Sequence, residues 1–484
     1  MAISVNTFFL SPDSEHTLQS QIRQIVAEGV LSGRFQSKEK LPSSRALARH
    51  LGVSRITVTL AYTELQADNY ITSMGRSGYY VSDNAPEPPS FPARAPGKGN
   101  VDWTRVLGHR PTPYWLQKPA DWATYKYQFI YGQMDPELFD SANWRLCALQ
   151  ALGRKDFKSL SADHFDADDP NLVEFITRQT LPRRGILASS DEVLITMGAQ
   201  NALWLTVQVL LNQRRRAAIE TPGYPSLRDI LHGSRCHVSH VPVDDDGLPP
   251  DLIPDDTDVV FTTPAHQCPT TATMPLSRRK ELLEKAERDD FLIVEDDYEF
   301  EMAFLKPASA ALKSLDEGGR VIYVGSFSKS LFPGLRLGYL VGPAPFIREA
   351  RALRASVLRH PPGLLQRTTS YFLSLGHYDA LIKRMQTAYH DRRRVMDQAI
   401  GELGLTVAGE GSYGGSSLWM RAEGVNMDEA AEKLRSQSVL IEPGAPFFAG
   451  DTPPTDFYRL AYSSIPQTKI HDGLSLISQT LNRG

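Results

Sequence analysis

A chain of 484 residues exceeds one ordinary core, and at about 150 residues per domain roughly three folding units are expected; 41% hydrophobic and 22% charged residues exclude a disordered chain. With 52 Lys and Arg against 56 Asp and Glu the formal charge is −4, so no global basic field marks a nucleic-acid or membrane binder, and DNA affinity must come from a local patch. Cys147, Cys236 and Cys268 are odd in number and far apart, which supplies neither a disulfide framework nor a zinc motif. Without a secretory leader or a run of about 18 apolar residues, the expectation is a soluble cytoplasmic protein with no membrane partner and no metal.

Leu18, Ile22, Ile25, Val26 and Val30 recur at helical spacing behind Thr17, a suitable N-cap, so a helix is expected over 17–32. Two more helical patterns follow, one carrying Leu47, Ala48 and Leu51, the other Val58, Tyr62 and Leu65. Gly52-Val53-Ser54 separates them. A glycine in a tight turn lets two short helices cross and Ser54 can cap the second, which is the layout of a helix-turn-helix. The segment YITSMGRSGYYVS alternates about a Gly-Arg-Ser-Gly turn and predicts a two-stranded wing. Prolines and glycines then crowd NAPEPPSFPARAPGKG, which cannot sustain helix periodicity. Residues 83–119 are expected to be a partly stiff linker between domains at 1–82 and 120–484.

Beyond the linker, strand-like runs alternate with helical ones: EVLIT before GAQNALWLTVQVLL, then AAIE, DVVFTT, FLIVEDD and VIYVGSFS. That order favours crossover connections and a parallel-rich α/β sheet wrapped by helices. From about Arg354 a smaller α+β lobe is expected. There is no internal repeat.

The stretch LPSSRALARHLGVSRITVTLAYTELQADNYI resembles the winged helix-turn-helix of GntR-type bacterial regulators in its Leu-Pro-Ser-x-Arg opening, its Leu-Gly-Val-Ser-Arg turn and its trailing wing. The resemblance implies DNA contacts from Arg45, Ser54, Arg55, Thr57 and, in the wing, Arg76. A recognition helix presents short polar and cationic side chains from its first turn to the major groove, where Ser54, Arg55 and Thr57 lie. Arg45, Arg49 and Arg76 suit phosphates. Outside such a motif, a Ser-Arg pair is only a helix cap and a solvated charge. Ile56 and Thr59 stand where several GntR-type proteins carry polar or cationic groups, so base preference does not transfer.

The strongest chemical signal is VIYVGSFSKSLFPGLRLGY, which sets Lys329 after an apolar strand in a Ser/Gly-rich loop. A lysine for Schiff-base chemistry needs a partly desolvated place that frees its amine, and Ser326, Ser328 and Arg336 offer donors for a neighbouring phosphate. The bland alternative is an exposed loop lysine. This stretch resembles the cofactor-lysine segment of fold-type I, class I aminotransferases, a likeness that extends over roughly 120–484. It implies pyridoxal 5'-phosphate as cofactor, with Lys329 forming the internal aldimine and Arg336 binding the phosphate. By the same match Asp296, in FLIVEDDYEFE, faces the pyridine nitrogen, and Tyr298 donates to the ring hydroxyl; three adjacent acids are otherwise a solvated loop. Gly198, Ala199 and Gln200 form a strand-to-helix turn whose free N–H groups favour a phosphate. Tyr224, in ETPGYPSLRD, matches the ring that stacks on the cofactor, although an isolated loop aromatic more often only packs.

TTPAHQCPTTATMP resembles the loop bearing Asn-Pro-Thr-Gly in many aminotransferases, but its glycine is missing, and His266-Gln267 looks like the variant of the MocR subgroup of GntR regulators. A direct and a structural role for His266 both stay open. Arg459, in FYRLAYSS, matches the arginine that grips a substrate carboxylate; a plain internal salt bridge is the alternative. Winged helix, spacer and aminotransferase-like domain in this order resemble MocR-type regulators over nearly the full chain. The resemblance implies operator DNA as partner, a head-to-tail homodimer, and a small amino-acid or aminosulfonate effector that forms an external aldimine while Arg459 holds its acidic end. A true aminotransferase carrying a DNA-binding module is the other reading. Members sensing γ-aminobutyrate have an arginine two positions after the Pro-Gly-Tyr tyrosine, whereas Ser226 stands here and Arg228 two further on. TFFLSPDS and PGYP resemble regulators of taurine or ectoine-derived amino-acid use, so taurine is the expected effector.

Overall fold

The computed structural model describes residues 2–12, 14, 16–86, 99, 101–107, 118–163, 166–409 and 411–482. The chain divides into two compact units, Met1–Gly108 and His109–Gly484. The division falls within the expected 83–119 linker, most of which lies outside the described residues.

In the first unit, caps set the helix starts. Thr17 accepts from the Ser20 N–H ahead of α1 (Leu18–Leu31), Ser43 from Ala46 ahead of α2 (Ser44–Leu51), and Ser54 from Thr57 ahead of α3 (Arg55–Ala67). Gly52 ends α2 at φ 67°, a left-handed conformation that glycine adopts without strain, and this turn sets α3 across α2. Strands β1 (Ile71–Ser73) and β2 (Tyr79–Val81) pair antiparallel as the wing, Ile71 opposite Val81. Ile22, Val26, Leu47, Val58, Tyr62 and Leu65 close one core, and the buried Tyr62 hydroxyl donates to the Pro42 carbonyl at 2.9 Å.

The second unit is built on a seven-stranded sheet of β3 (Val193–Thr196), β4 (Arg216–Thr221), β5 (His237–Pro242), β6 (Val259–Thr262), β7 (Leu292–Asp297), β8 (Val321–Ser326) and β9 (Gly338–Val341), in the order β3-β9-β8-β7-β6-β4-β5. Only β9 runs against the others. Adjacent residues of β7 enter different cores, Ile293 with Leu282 and Val321, Val294 with Leu203 and Phe261, so the strands read as continuous apolar runs because both faces are covered. Helix α4 (Ala199–Leu210) follows β3 and α5 (Pro225–Ser234) follows β4, which brings both helix N-termini to the carboxyl ends of the parallel strands, where ligands bind in open α/β sheets.

After the 27-residue helix α6 (His377–Leu403), a smaller antiparallel sheet contains β10 (Ser417–Arg421), β11 (Glu442–Pro443) and β12 (Phe457–Ala461). The expectation that this lobe begins near Arg354 needs correction. Tyr127–Gln128 pairs in parallel with Val439–Leu440, so the lobe takes chain from both ends of the unit. Two-residue strands carry no readable periodicity, which is why the sequence hid this junction. Among the described residues no helix is long and apolar enough to cross a membrane.

Candidate functional site

Strand β7 ends in Glu295-Asp296-Asp297, and its two-residue period sends these acids to opposite faces. Glu295 accepts from the Leu312 and Lys313 N–H groups, both at 2.8 Å. Asp297 accepts from Arg184 Nε at 2.6 Å and from the Tyr323 hydroxyl at 2.8 Å. Asp296 alone of the three lines a cavity of about 310 Å³. Its Oδ1 is buried and has no hydrogen-bond partner among the described residues, and burial, reinforced by Asp297 and Glu220, pushes its pKa up to about 7. A protonated ring nitrogen is the kind of group this orphaned carboxyl lacks, because an adjacent cation restores the carboxylate.

On the neighbouring β8, Ser326 is buried and accepts from the Ser328 N–H at 3.1 Å, which curls the loop so that Lys329 enters the same cavity. Lys329 Nζ lies 4.0 Å from the Tyr131 ring centroid, and a Cβ at Gly132 would come within 2.8 Å of it. Burial lowers the Lys329 pKa to about 8, Glu299 opposing and Arg459 and Lys118 reinforcing the shift. The free amine is therefore far more accessible at neutral pH than that of a solvated lysine.

Gly198 precedes α4 at φ 79° without a side-chain cap, leaving first-turn N–H groups for a ligand. A Cβ built on Gly198 would stand 3.7 Å from Ser328 Oγ and 3.9 Å from Arg336 Cζ, so turn, hydroxyl and guanidinium meet. The last glycine of Pro-Gly-Leu-Arg-Leu-Gly, Gly338, makes the meeting possible: a Cβ there would sit 2.9 Å from the Gly198 carbonyl carbon. Ala199, Gln200, Tyr224 and Tyr298 line the remaining wall of this half. Turn donors, an arginine, an orphaned carboxyl and an amine are the set that a phosphorylated pyridine aldehyde requires.

Also lining the cavity, Arg459 pairs with Glu442, its cross-strand neighbour, through Nε at 2.8 Å. Its guanidinium carbon is 4.1 Å from the Tyr131 centroid and 4.7 Å from that of Phe447. Burial alone would lower its pKa, but Glu442, Cys268 and Tyr131 together outweigh burial and keep Arg459 charged.

On the first unit Arg45 and Arg55 are exposed, and Arg55 Nε reaches Ser44 Oγ at 3.5 Å. The Ser54 hydroxyl is occupied as a cap, accepting from the Thr57 N–H at 3.1 Å and lying 2.8 Å from Thr57 Oγ1. Ile56 is 71% exposed on the first turn of α3. The Arg76 side chain lies outside the described residues, although its backbone forms the wing turn.

Residues 18–81 match the family described as bacterial regulatory proteins, gntR family, and residues 143–477 match aminotransferase class I and II. The HTH-type transcriptional regulator TauR of Rhodobacter capsulatus is 57% identical over 99% of this chain and 100% of its own. The chain is a MocR-type regulator of the GntR family. The probable rhizopine catabolism regulatory protein MocR of Rhizobium meliloti is 29% identical over 80% of this chain and 78% of its own. Among solved structures, kynurenine aminotransferase of Pyrococcus horikoshii superposes with a TM-score of 0.69 at 26% identity, covering 76% of this chain and 95% of that one. The regulator thus joins a GntR DNA-binding domain to a fold-type I aminotransferase domain, and its cofactor is pyridoxal phosphate.

The cavity of the regulator gathers Ala199, Gln200, Tyr224, Asp296, Tyr298, Ser326, Ser328, Lys329, Arg336 and Arg459 from the sequence candidates, with Gly198 beside it. His266 and Gln267 do not line it. Burial lowers the His266 pKa to about 4, so the ring is neutral 3.5 Å from Glu299, and the Gln267 amide donates to Glu220 at 3.1 Å and the Pro222 carbonyl at 2.9 Å. Arg228 is committed elsewhere, to the Pro446 and Phe448 carbonyls, where it braces the loop carrying Phe447. Sequence reasoning missed Lys118, Tyr131, Glu442 and Phe447 as lining residues. Lys118 fell in the expected linker, and the other three had no motif to mark them.

Proposed function

We propose that the regulator binds operator DNA through Arg45, Arg55 and the wing, and that its cavity receives a small ligand with a primary amine at one end and an anion at the other, taurine first among candidates. One observation carries this reading: a lysine with a lowered pKa and a charged arginine line a single cavity of about 310 Å³, each about 4 Å from the Tyr131 ring. Pyridoxal phosphate, when bound, supplies an aldehyde carbon that condenses reversibly with primary amines. Gly198, Ser328 and Arg336 hold its phosphate end, Asp296 keeps a proton on the ring nitrogen, Tyr224 packs on the ring face and Tyr298 donates to the ring hydroxyl. Lys329 and the ligand amine compete for one place, while Arg459 orients the ligand's anion and Tyr131 and Phe447 exclude water. The ligand switches the regulator by binding one arrangement of a head-to-tail homodimer more tightly than another. Taurine is supported by the sequence resemblance, by Ser226 in place of an arginine, and by the name TauR of the Rhodobacter capsulatus relative.

Titration of the purified, cofactor-loaded protein with taurine, β-alanine and γ-aminobutyrate, followed by cofactor absorbance and operator binding in parallel, tests the reading. Taurine is expected to change both signals at the lowest concentration. Steady turnover with a keto-acid acceptor, and no change in operator binding, would show an aminotransferase instead.

A further inference from the structure

Arg459 and Lys118 are not partnered alike. Arg459 has Glu442, but Lys118 lines the same cavity without a carboxylate in ion-pair range among the described residues; its Nζ donates to the Tyr131 carbonyl at 2.6 Å. A half-buried cation is costly to leave unpaired, and burial, reinforced by Arg459 and opposed by Glu442, lowers the Lys118 pKa. Lys118 is thus a cation on the cavity wall whose hydrogen-bond partner is a carbonyl and not a carboxylate.

We propose that Lys118 grips the effector's anionic end together with Arg459 and favours an anion with three oxygens over one with two. This rests on the effector reading above. Glu442 takes Arg459 Nε, while neither terminal nitrogen of the guanidinium bonds a described residue, so two donors remain on one planar edge. An ammonium adds donors from a separate side chain. A carboxylate paired with the arginine fork keeps its remaining lone pairs in the plane of the fork, whereas a tetrahedral sulfonate sets a third oxygen out of that plane, where an ammonium on a separate side chain can donate to it. Lys118 also stands at the C-terminal end of the 83–119 stretch, the covalent path to the DNA reader, so a ligand held by it touches the tether itself.

The test compares the cofactor-loaded full chain with Lys118→Met and Lys118→Gln, the glutamine retaining an amide donor for the Tyr131 carbonyl without the charge. Calorimetric titrations use taurine, β-alanine and propylamine, with cofactor absorbance confirming an intact cavity. Both substitutions are expected to weaken taurine by about thirtyfold or more, β-alanine by clearly less, and propylamine by less than about twofold. Taurine affinity within about twofold of wild type in a variant with intact absorbance overturns the role of Lys118, as does an equal loss for all three ligands, which marks a scaffold residue. Equal losses for taurine and β-alanine overturn the three-oxygen preference. A wild type that answers none of the three overturns the effector reading itself, whereas a responsive wild type matched by both variants overturns only this inference.

Discussion

Arg45 and Arg55 of the DNA reader stand in solvent, whereas Arg184, Asp297, Arg459 and Glu442 of the cofactor domain are buried against one another in pairs. An exposed cation costs little to keep and gains little from any one neighbour, so nothing in its own fold demands Arg55 at that position. A buried charge needs a partner, and the partner becomes as much a part of the site as the charge itself. Substitutions in the reader should therefore change recognition without unfolding anything, while substitutions around the cavity should carry structural costs unless they strike a group that faces the empty space.

Lys329 is the group that tests this exception most severely. Lys329→Ala should abolish covalent retention of the cofactor, shown by loss of borohydride-fixed label on mass mapping, while effector-free operator binding survives. The wild-type apoprotein should take up cofactor faster as pH rises. Because burial lowers the lysine pKa to about 8, the amine is mostly free above that pH and its free fraction falls about tenfold per unit well below it. A flat uptake rate between about pH 6.5 and 8.5 would show that Lys329 is not the titrating nucleophile.

A smaller effect, structural rather than chemical, is expected one layer beneath the cavity. Arg184 is fully buried and donates to Asp297, which also accepts from Tyr323, on the face of β7 opposite Asp296. Arg184→Met should cost the second unit about 3 to 5 kcal/mol by leaving that carboxylate unpaired. Denaturant unfolding followed separately in the two units should show the loss in the second unit alone. Loss of stability in both, or in neither, would break the contrast between them.

The same contrast explains what the sequence made legible. Lys329, Arg336 and the glycines around them lie in one continuous segment, and their chemistry has few substitutes: Gly338 must be glycine because its Cα packs on the Gly198 turn. Asp296 could be singled out because alternate residues of a strand face opposite ways. Lys118 and Glu442 carried no such mark, for each is an ordinary surface-type residue until the Tyr127–Gln128 and Val439–Leu440 pairing brings both chain ends into one lobe. Ser54 was legible as both a cap and a DNA contact, and the geometry shows the cap. Pattern reveals what is local or periodic. Contacts made by two-residue strands are neither.

The smallest expected effects lie on α3, where neighbouring residues should separate by kind of readout. Arg55→Ala should weaken specific operator binding by about 1 to 3 kcal/mol, as expected for one base contact, with cofactor absorbance and the unfolding midpoint unchanged. Ser54→Ala should also lower the stability of the first unit by about 1 kcal/mol, because its hydroxyl holds the first turn of the helix. Affinity measured over a series of salt concentrations, on operator and on unrelated DNA, separates a base contact from a phosphate contact. Loss of a base contact lowers operator affinity selectively and leaves the salt slope nearly unchanged, whereas loss of a phosphate contact weakens both DNAs alike and makes the slope shallower by about one. If Arg55→Ala weakens both DNAs equally, Arg55 positions the helix without reading sequence. Ile56, 71% exposed beside it, is then a candidate on that turn for distinguishing bases, through contact with a thymine methyl group.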